Sequence, residues 1–183
     1  MTVDETIDRF VEMMNRSPQE QKSVEEVPVL LREGDPDQFG WCAWKIRRVS
    51  QTPWIDALEA KLPVRLPPSF YSLVKRYCFP LFELGPLTML SNTGEDIRNE
   101  LARTIFEDEH LSPLLLTHGY VQFARPNTGD YDPICFDSKR RTKNGEMPIV
   151  RIDHEEVLCN SKIAVTAEIA KSFLELVERE IVT

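Results

Sequence analysis

LLLTHGYVQFARPNTGDYDPICFDSKRRTKNGEMPIVRID, residues 114 to 153, is the stretch whose reading decides the fold. It resolves into short β-favouring runs at 114–118, 120–125, 133–137 and 148–153. Asn127-Thr128-Gly129 and Lys143-Asn144-Gly145 divide them, each supplying the Gly or Asn that a positive φ requires. Connections this tight favour antiparallel pairing, because a parallel crossover needs about a dozen or more residues.

Helical periods lie on both sides of this block. Downstream, Ile169, Phe173, Leu176 and Val177 share one face and predict a closing helix from about Thr166. Upstream, residues 81–90 are apolar around Gly85-Pro86, which predicts two short strands flanking a turn. Ile97, Leu101 and Ile105 recur every four residues, with Glu95 and Asp96 in the first turn where negative charge suits the helix dipole. Two further helices begin at prolines: one at Pro53, with Thr52 as N-cap and Trp54, Ile55, Leu58 and Leu62 inward, the other after Leu66-Pro67-Pro68-Ser69, with Phe70, Leu73, Val74 and Tyr77 inward. Trp41, Trp44, Ile46 and Val49 form a short extended segment with its aromatics on the core. At the N-terminus Thr2 and Glu5 stand in capping-box spacing ahead of Ile7, Phe10, Val11 and Met14. From Ser17-Pro18 to Gly40 the pattern dissolves into a polar, acidic linker. The expected division is therefore a helix and linker over 1–40 and a main domain over 41–183. Helices, then strands, then a helix make the fold class α+β, with a mainly antiparallel sheet packed by helices.

Length and composition agree with one folded domain, since 183 residues at 42% hydrophobic and 28% charged are ordinary for a single core. Cys42, Cys78, Cys135 and Cys159 lie far apart and form no Cys-x-x-Cys pair, so reduced thiols are expected and no zinc ribbon. Asp4, Glu5, Asp8 and Glu12 stand where a secretory signal would be basic and apolar. No run approaches the roughly 20 apolar residues of a membrane span. A cytoplasmic location is the expectation. The net charge of −8 repels phosphates and points to basic partners, with no nucleic acid or membrane among them.

The candidate chemistry is sparse. Asp153-His154-Glu155-Glu156 pairs a His with carboxylates, but neighbours in a strand face opposite ways, and acids at a helix start answer to the dipole. Asp130, Asp132 and Asp137 lack the Gly and the distal Glu of a calcium loop and read as turn acids. His110 and His118 are isolated, and no Gly-rich phosphate loop exists. Lys139 to Lys143 form a basic hairpin tip with solvated charges. No catalytic residue, metal site or cofactor is assigned. The acids Glu95, Asp96, Glu100, Glu107, Asp108 and Glu109 crowd one short region. They serve either as a solvated helix face or as a surface that captures a basic protein.

The order of elements, with particular residues in it, resembles the SUKH superfamily, the domain of bacterial immunity proteins and of fungal Smi/Knr cell-wall-assembly regulators. The resemblance rests on Gly40, Trp41, Trp44 and Ile46 as a lead-in, on the helix start Leu66-Pro67-Pro68-Ser69-Phe70, and on the central strand from Gly119 to Ala124. It continues through Ile134 to Asp137, through Pro148-Ile149-Val150 with Asp153 to Val157, and through the closing run from Ile169 to Val177. Tyr77-Cys78-Phe79-Pro80 stands where many members carry Asn-Gly. The resemblance implies a twisted sheet packed with helices and a non-enzymatic immunity protein that neutralises a nuclease or deaminase toxin domain. A regulatory adaptor and a small hydrolase with an unfamiliar site are the alternatives.

Overall fold

Thr2 closes the expected capping box, accepting from the Glu5 N–H while the Glu5 carboxylate accepts from the Thr2 N–H, and so starts helix α1 (Val3–Arg16). The computed structural model describes residues 1–17, 19–94 and 98–182. After α1 come strands β1 (Lys22–Ser23), β2 (Arg32–Glu33), β3 (Trp41–Trp44) and β4 (Arg47–Arg48), then helices α2 (Pro53–Lys61) and α3 (Pro68–Arg76). Next are β5 (Tyr77–Cys78), β6 (Phe82–Leu84), β7 (Leu87–Met89), α4 (Glu100–Phe106) and α5 (Ser112–Thr117). The chain closes with β8 (Tyr120–Pro126), β9 (Ile134–Asp137), β10 (Ile149–Ile152), α6 (His154–Asn160), β11 (Val165–Ala170) and α7 (Phe173–Val182).

Six of these strands form one sheet in the order β11-β10-β9-β8-β7-β6, every neighbouring pair antiparallel. Alternation along the strands sends side chains to two faces. Val121, Phe123, Ile134, Phe136 and Ile149 join Phe70 and Phe173 in the main core, under α3 and α7. Tyr120, Cys135, Val150 and Ile152 point the other way and meet Leu115 of α5 and Val157 of α6. The fold is thus α+β, as expected, with helices on both faces of an antiparallel sheet, and one core fills the space between the sheet and α7.

Four local readings are corrected. Residues 114–117 belong to helix α5 and His118 is its C-cap, so the run is not a strand: Pro113 fits the first helical turn, and three leucines are good helix formers whose burial a short run cannot distinguish from a strand's. Residues 166–170 lie in strand β11, and α7 starts at Phe173. Ser172 is what fixes that start, its hydroxyl accepting from the Glu175 N–H, so the period counted back through Ile169 ran past a helix boundary. Trp41 is 45% exposed, because β3 alternates and sends Cys42 and Trp44 inward instead. Helix α4 starts at Glu100; Ile97 and the first-turn acids Glu95 and Asp96 lie outside the described residues. Thr52 occupies the N-cap position of α2, yet its hydroxyl donates to the Lys75 carbonyl and caps nothing.

Residues 19–40 hold more structure than an open linker. β1 and β2 flank β3 in a small antiparallel sheet, with Val27 and Leu31 buried in the main core beside Ile7, Phe10 and Val11 of α1. Polar clasps fix α1 as well. Asn15 exchanges two hydrogen bonds with the backbone of Ile46, Asp4 accepts from the Ser72 hydroxyl at 2.6 Å, and Asp8 pairs with Arg76 at 2.7 Å. Packing is continuous across Gly40.

One buried carboxylate ties the sheet's long loop to α3. Glu146 accepts from the Ser69 N–H at 2.9 Å and from its hydroxyl at 2.7 Å, supplying a first-turn N–H of the helix with a charged acceptor. Gly145 beside it has φ +89° and lies so close to Pro68 that a Cβ would sit 3.1 Å from the ring. Glu146→Ala orphans these two donors and is expected to lower the unfolding free energy by about 2 kcal/mol. Urea unfolding midpoints for parent and variant would measure it.

Candidate functional site

The acidic segment begins at Asn99, whose side-chain amide donates to the Gly94 carbonyl, and at Ser91, whose hydroxyl accepts from the Glu100 N–H. These contacts set α4 against β8, with Leu101 and Ile105 inward and its acids outward. Glu100, Glu107 and Asp108 line one cleft of about 300 Å³. Glu109 is exposed in the turn that follows. Glu95 and Asp96 fall outside the described residues.

The acids do different work. Asp108 Oδ1 accepts from the N–H groups of His110 and Leu111 at 3.0 and 2.8 Å, shaping the turn into α5. Glu107 pairs with Arg103 at 3.4 Å, four residues back and exposed, a contact of small stability value. Glu100 has a buried Oε2 with no hydrogen-bond partner among the described residues. Arg103 and Arg125 share the cleft, so its charge is mixed and not uniformly negative.

A second cluster lies nearby on the same face of the sheet. Asp132, in the loop between β8 and β9, accepts from Arg151 Nε at 2.6 Å through Oδ2; its Oδ1 faces the His154 N–H at 3.1 Å and the imidazole Nδ1 at 2.7 Å. Asp130 takes the other arm of Arg151 at 3.0 Å, and Asp153 caps α6 by accepting from the Glu156 N–H. Burial opposes charge on Asp132, but the bonds from His154 and Arg151 outweigh it and hold its carboxyl below the ordinary 3.8. Asp132, Asp153 and His154 offer ligand atoms within 4.8 Å of one another. A cation there would meet the Arg151 guanidinium and displace bonds that already fix the start of α6. The cluster therefore reads as a clasp between the β8–β9 loop and α6.

That clasp makes a pH prediction with a definite sign. A carboxyl depressed in the folded state binds its proton more readily when unfolded, so its stabilisation is present above 3.8 and is lost as the pH falls through the lower folded value. Asp132→Asn should flatten the acid limb of the stability profile in that window, as read from urea midpoints at successive pH values.

In the sequence Asp132 reads only as a turn acid and His154 only as a helix-start residue. The pair is 22 positions apart, and no spacing rule links a loop aspartate to a histidine two strands later. Gln122 and Arg125 of β8 and Tyr131 of the loop also line this region, and no sequence motif marks them. The basic tip is largely occupied: Arg140 pairs with Asp137 and Glu168, Arg141 donates to the carbonyls of Arg65, Leu66 and Gly145, and Lys139 lies over the Tyr120 ring. Among the described residues no helix is long and apolar enough to cross a membrane.

No curated protein matches the chain in a sequence search. A family model, described as SMI1 / KNR4 family (SUKH-1), matches residues 53–179, from the first residue of α2 into α7. The match takes in the six-stranded sheet, the helices on both its faces, the acidic α4–α5 segment and the Asp132–His154 clasp, so this chain belongs to the SMI1 / KNR4 family (SUKH-1).

Proposed function

We propose that the chain is an immunity-type protein: it acts without catalysis, by binding a basic toxin domain of nuclease or deaminase type and occluding it. Family membership supports a SUKH-type role, and the observation that carries the choice of surface is the Glu100 carboxylate, which lines a surface cleft beside Glu107 and Asp108 with one oxygen unpartnered. That oxygen is enclosed, so a basic side chain from a partner would meet the carboxylate from the cleft side and offset the cost of its buried charge. Glu109 extends the proposed surface; Glu95 and Asp96, assigned to it from their place in the sequence, lie outside the described residues. Residues 41–183 form the family-like unit in this reading, and 1–40 are an addition that completes its core. The chain works in the cytoplasm, where its four free thiols suit a reducing compartment.

Association kinetics with the co-purified partner test the surface. Replacing Glu107, Asp108 and Glu109 by their amides keeps the carbonyl acceptor that Asp108 supplies to the turn, so the fold is retained. The on-rate should fall by about tenfold at low salt, and the difference should shrink as the Debye length contracts to about 8 Å at 0.15 M. An on-rate indifferent to both salt and these substitutions would remove the acidic surface from the account.

A further inference from the structure

The acidic cleft does not end at Asp108. A second cavity, of about 410 Å³, adjoins it and shares Thr104, Asp108 and Arg125 with the first. Its character differs. Leu111 and Leu158 line it, the latter on α6 and 49% exposed, and Tyr131 lines it 75% exposed. Large apolar side chains exposed around a depression are the usual anchoring points of protein interfaces.

Gln122 of β8 supplies an observation of another kind. Its side chain lines this cavity and is only 5% exposed, facing the same side of the sheet as Tyr120. Its Nε2 reaches the Ala124 carbonyl of its own strand at 3.4 Å, and among the described residues no hydrogen bond reaches Oε1. An amide with spare capacity at the floor of a cavity can be met by a peptide group, which offers the matching donor and acceptor. Arg125, exposed where the two cavities meet and in no ion pair among the described residues, adds donors for a backbone carbonyl.

We propose that the two cavities form one channel for an extended segment of a partner protein, with a basic side chain at the Glu100 end and a large apolar side chain between Leu111 and Leu158. The segment's backbone meets Gln122 and Arg125. This rests on the partner-binding reading above and adds the chemistry of what is bound. The two ends differ: Glu100 and Glu107 lie at one, with Arg103 beside Glu107, and the apolar walls lie at the other. A segment with the two side chains close together satisfies both ends at once, and one lacking either leaves Glu100 unpaired or Leu158 in water.

Selection of a displayed short-peptide library on the intact protein tests this, followed by measured affinities of the enriched peptides. Enriched sequences should carry Lys or Arg within a few residues of Leu, Phe or Trp. Leu158→Glu, at an exposed position that tolerates charge, should weaken them by about tenfold or more. Glu100→Gln should weaken them less and reduce the salt dependence. No enrichment over an uncoated control, peptides without that pair, or equal binding to both variants would each overturn the proposal. None of those results bears on whether a toxin is neutralised, which is measured on the whole partner and fails or succeeds separately.

Discussion

Phe173→Ala is expected to lower the unfolding free energy by about 3–5 kcal/mol, the range for truncating a fully buried Phe. Phe173 has no exposed surface and stands at the start of α7 over the centre of the sheet. Its ring packs edge-on to Phe70 of α3 at 5.3 Å and to Phe123 of β8 at 6.1 Å, and lies 6.5 Å from Phe136 of β9. Phe123 and Phe136 stack across the strand pair at 4.0 Å, so one residue from the final helix meets aromatics from one helix and two strands. Truncation removes the edge contacts and leaves a cavity that three rings on separate elements cannot fill by collapse. Denaturant unfolding of parent and variant reads the cost directly; equal midpoints would remove Phe173 from the core.

Asn92→Ala is expected to cost about 3 kcal/mol, for a polar reason. Asn92 is fully buried, and its amide donates to the carbonyls of Val74 and Tyr77 at 2.9 and 2.8 Å while its Oδ1 accepts from the Trp54 indole at 3.0 Å. Its own backbone pairs with Phe79 in both directions. One side chain therefore satisfies the carbonyls of Val74 and Tyr77 at the end of α3 and an indole N–H from α2. Alanine leaves three polar groups without partners, each costing about 1–3 kcal/mol where water is excluded and less where the half-buried Trp54 can recruit it. Thermal unfolding with a calorimetric enthalpy would detect the loss, and a midpoint unchanged from the parent would show that water replaces the amide.

These two residues mark what the sequence makes legible. Phe173 sits in a helical period with Leu176 and Val177, and Val121, Phe123, Ile134 and Phe136 alternate or cluster in strands bounded by Asn-Gly-type turns, so the antiparallel sheet and its core follow from patterning alone. Asn92 lies in a turn-like run, Ser91-Asn92-Thr93-Gly94, and nothing in that run distinguishes a solvated turn residue from a buried hub. The misread elements share one cause. The run 114–118 and the stretch 166–170 are too short for period to separate helix from strand, and Pro113 and Ser172 carried the boundary information instead.

The site follows the same division. Glu100, Glu107, Asp108 and Glu109 are visible as a charge cluster because they are close in sequence. Their separate partners, Arg103 for Glu107 and backbone N–H groups for Asp108, are not visible, and neither is Arg125, which comes from a different element. The Asp132–His154 clasp and the Gln122 floor depend on tertiary placement by β8, its loop and α6, which no spacing along the chain encodes.

The central claim, that this SMI1 / KNR4 family protein binds a toxin domain and blocks it, is tested most directly by titrating the purified chain into the toxic activity of the partner that co-purifies with it from its native source. The account predicts that activity falls to background as the chain reaches one equivalent, and that a chain carrying amides at Glu107, Asp108 and Glu109 needs more time to do so at low salt. A partner that binds with its activity unchanged, or that has no toxic activity to block, would contradict it and turn the family role here towards a regulatory adaptor.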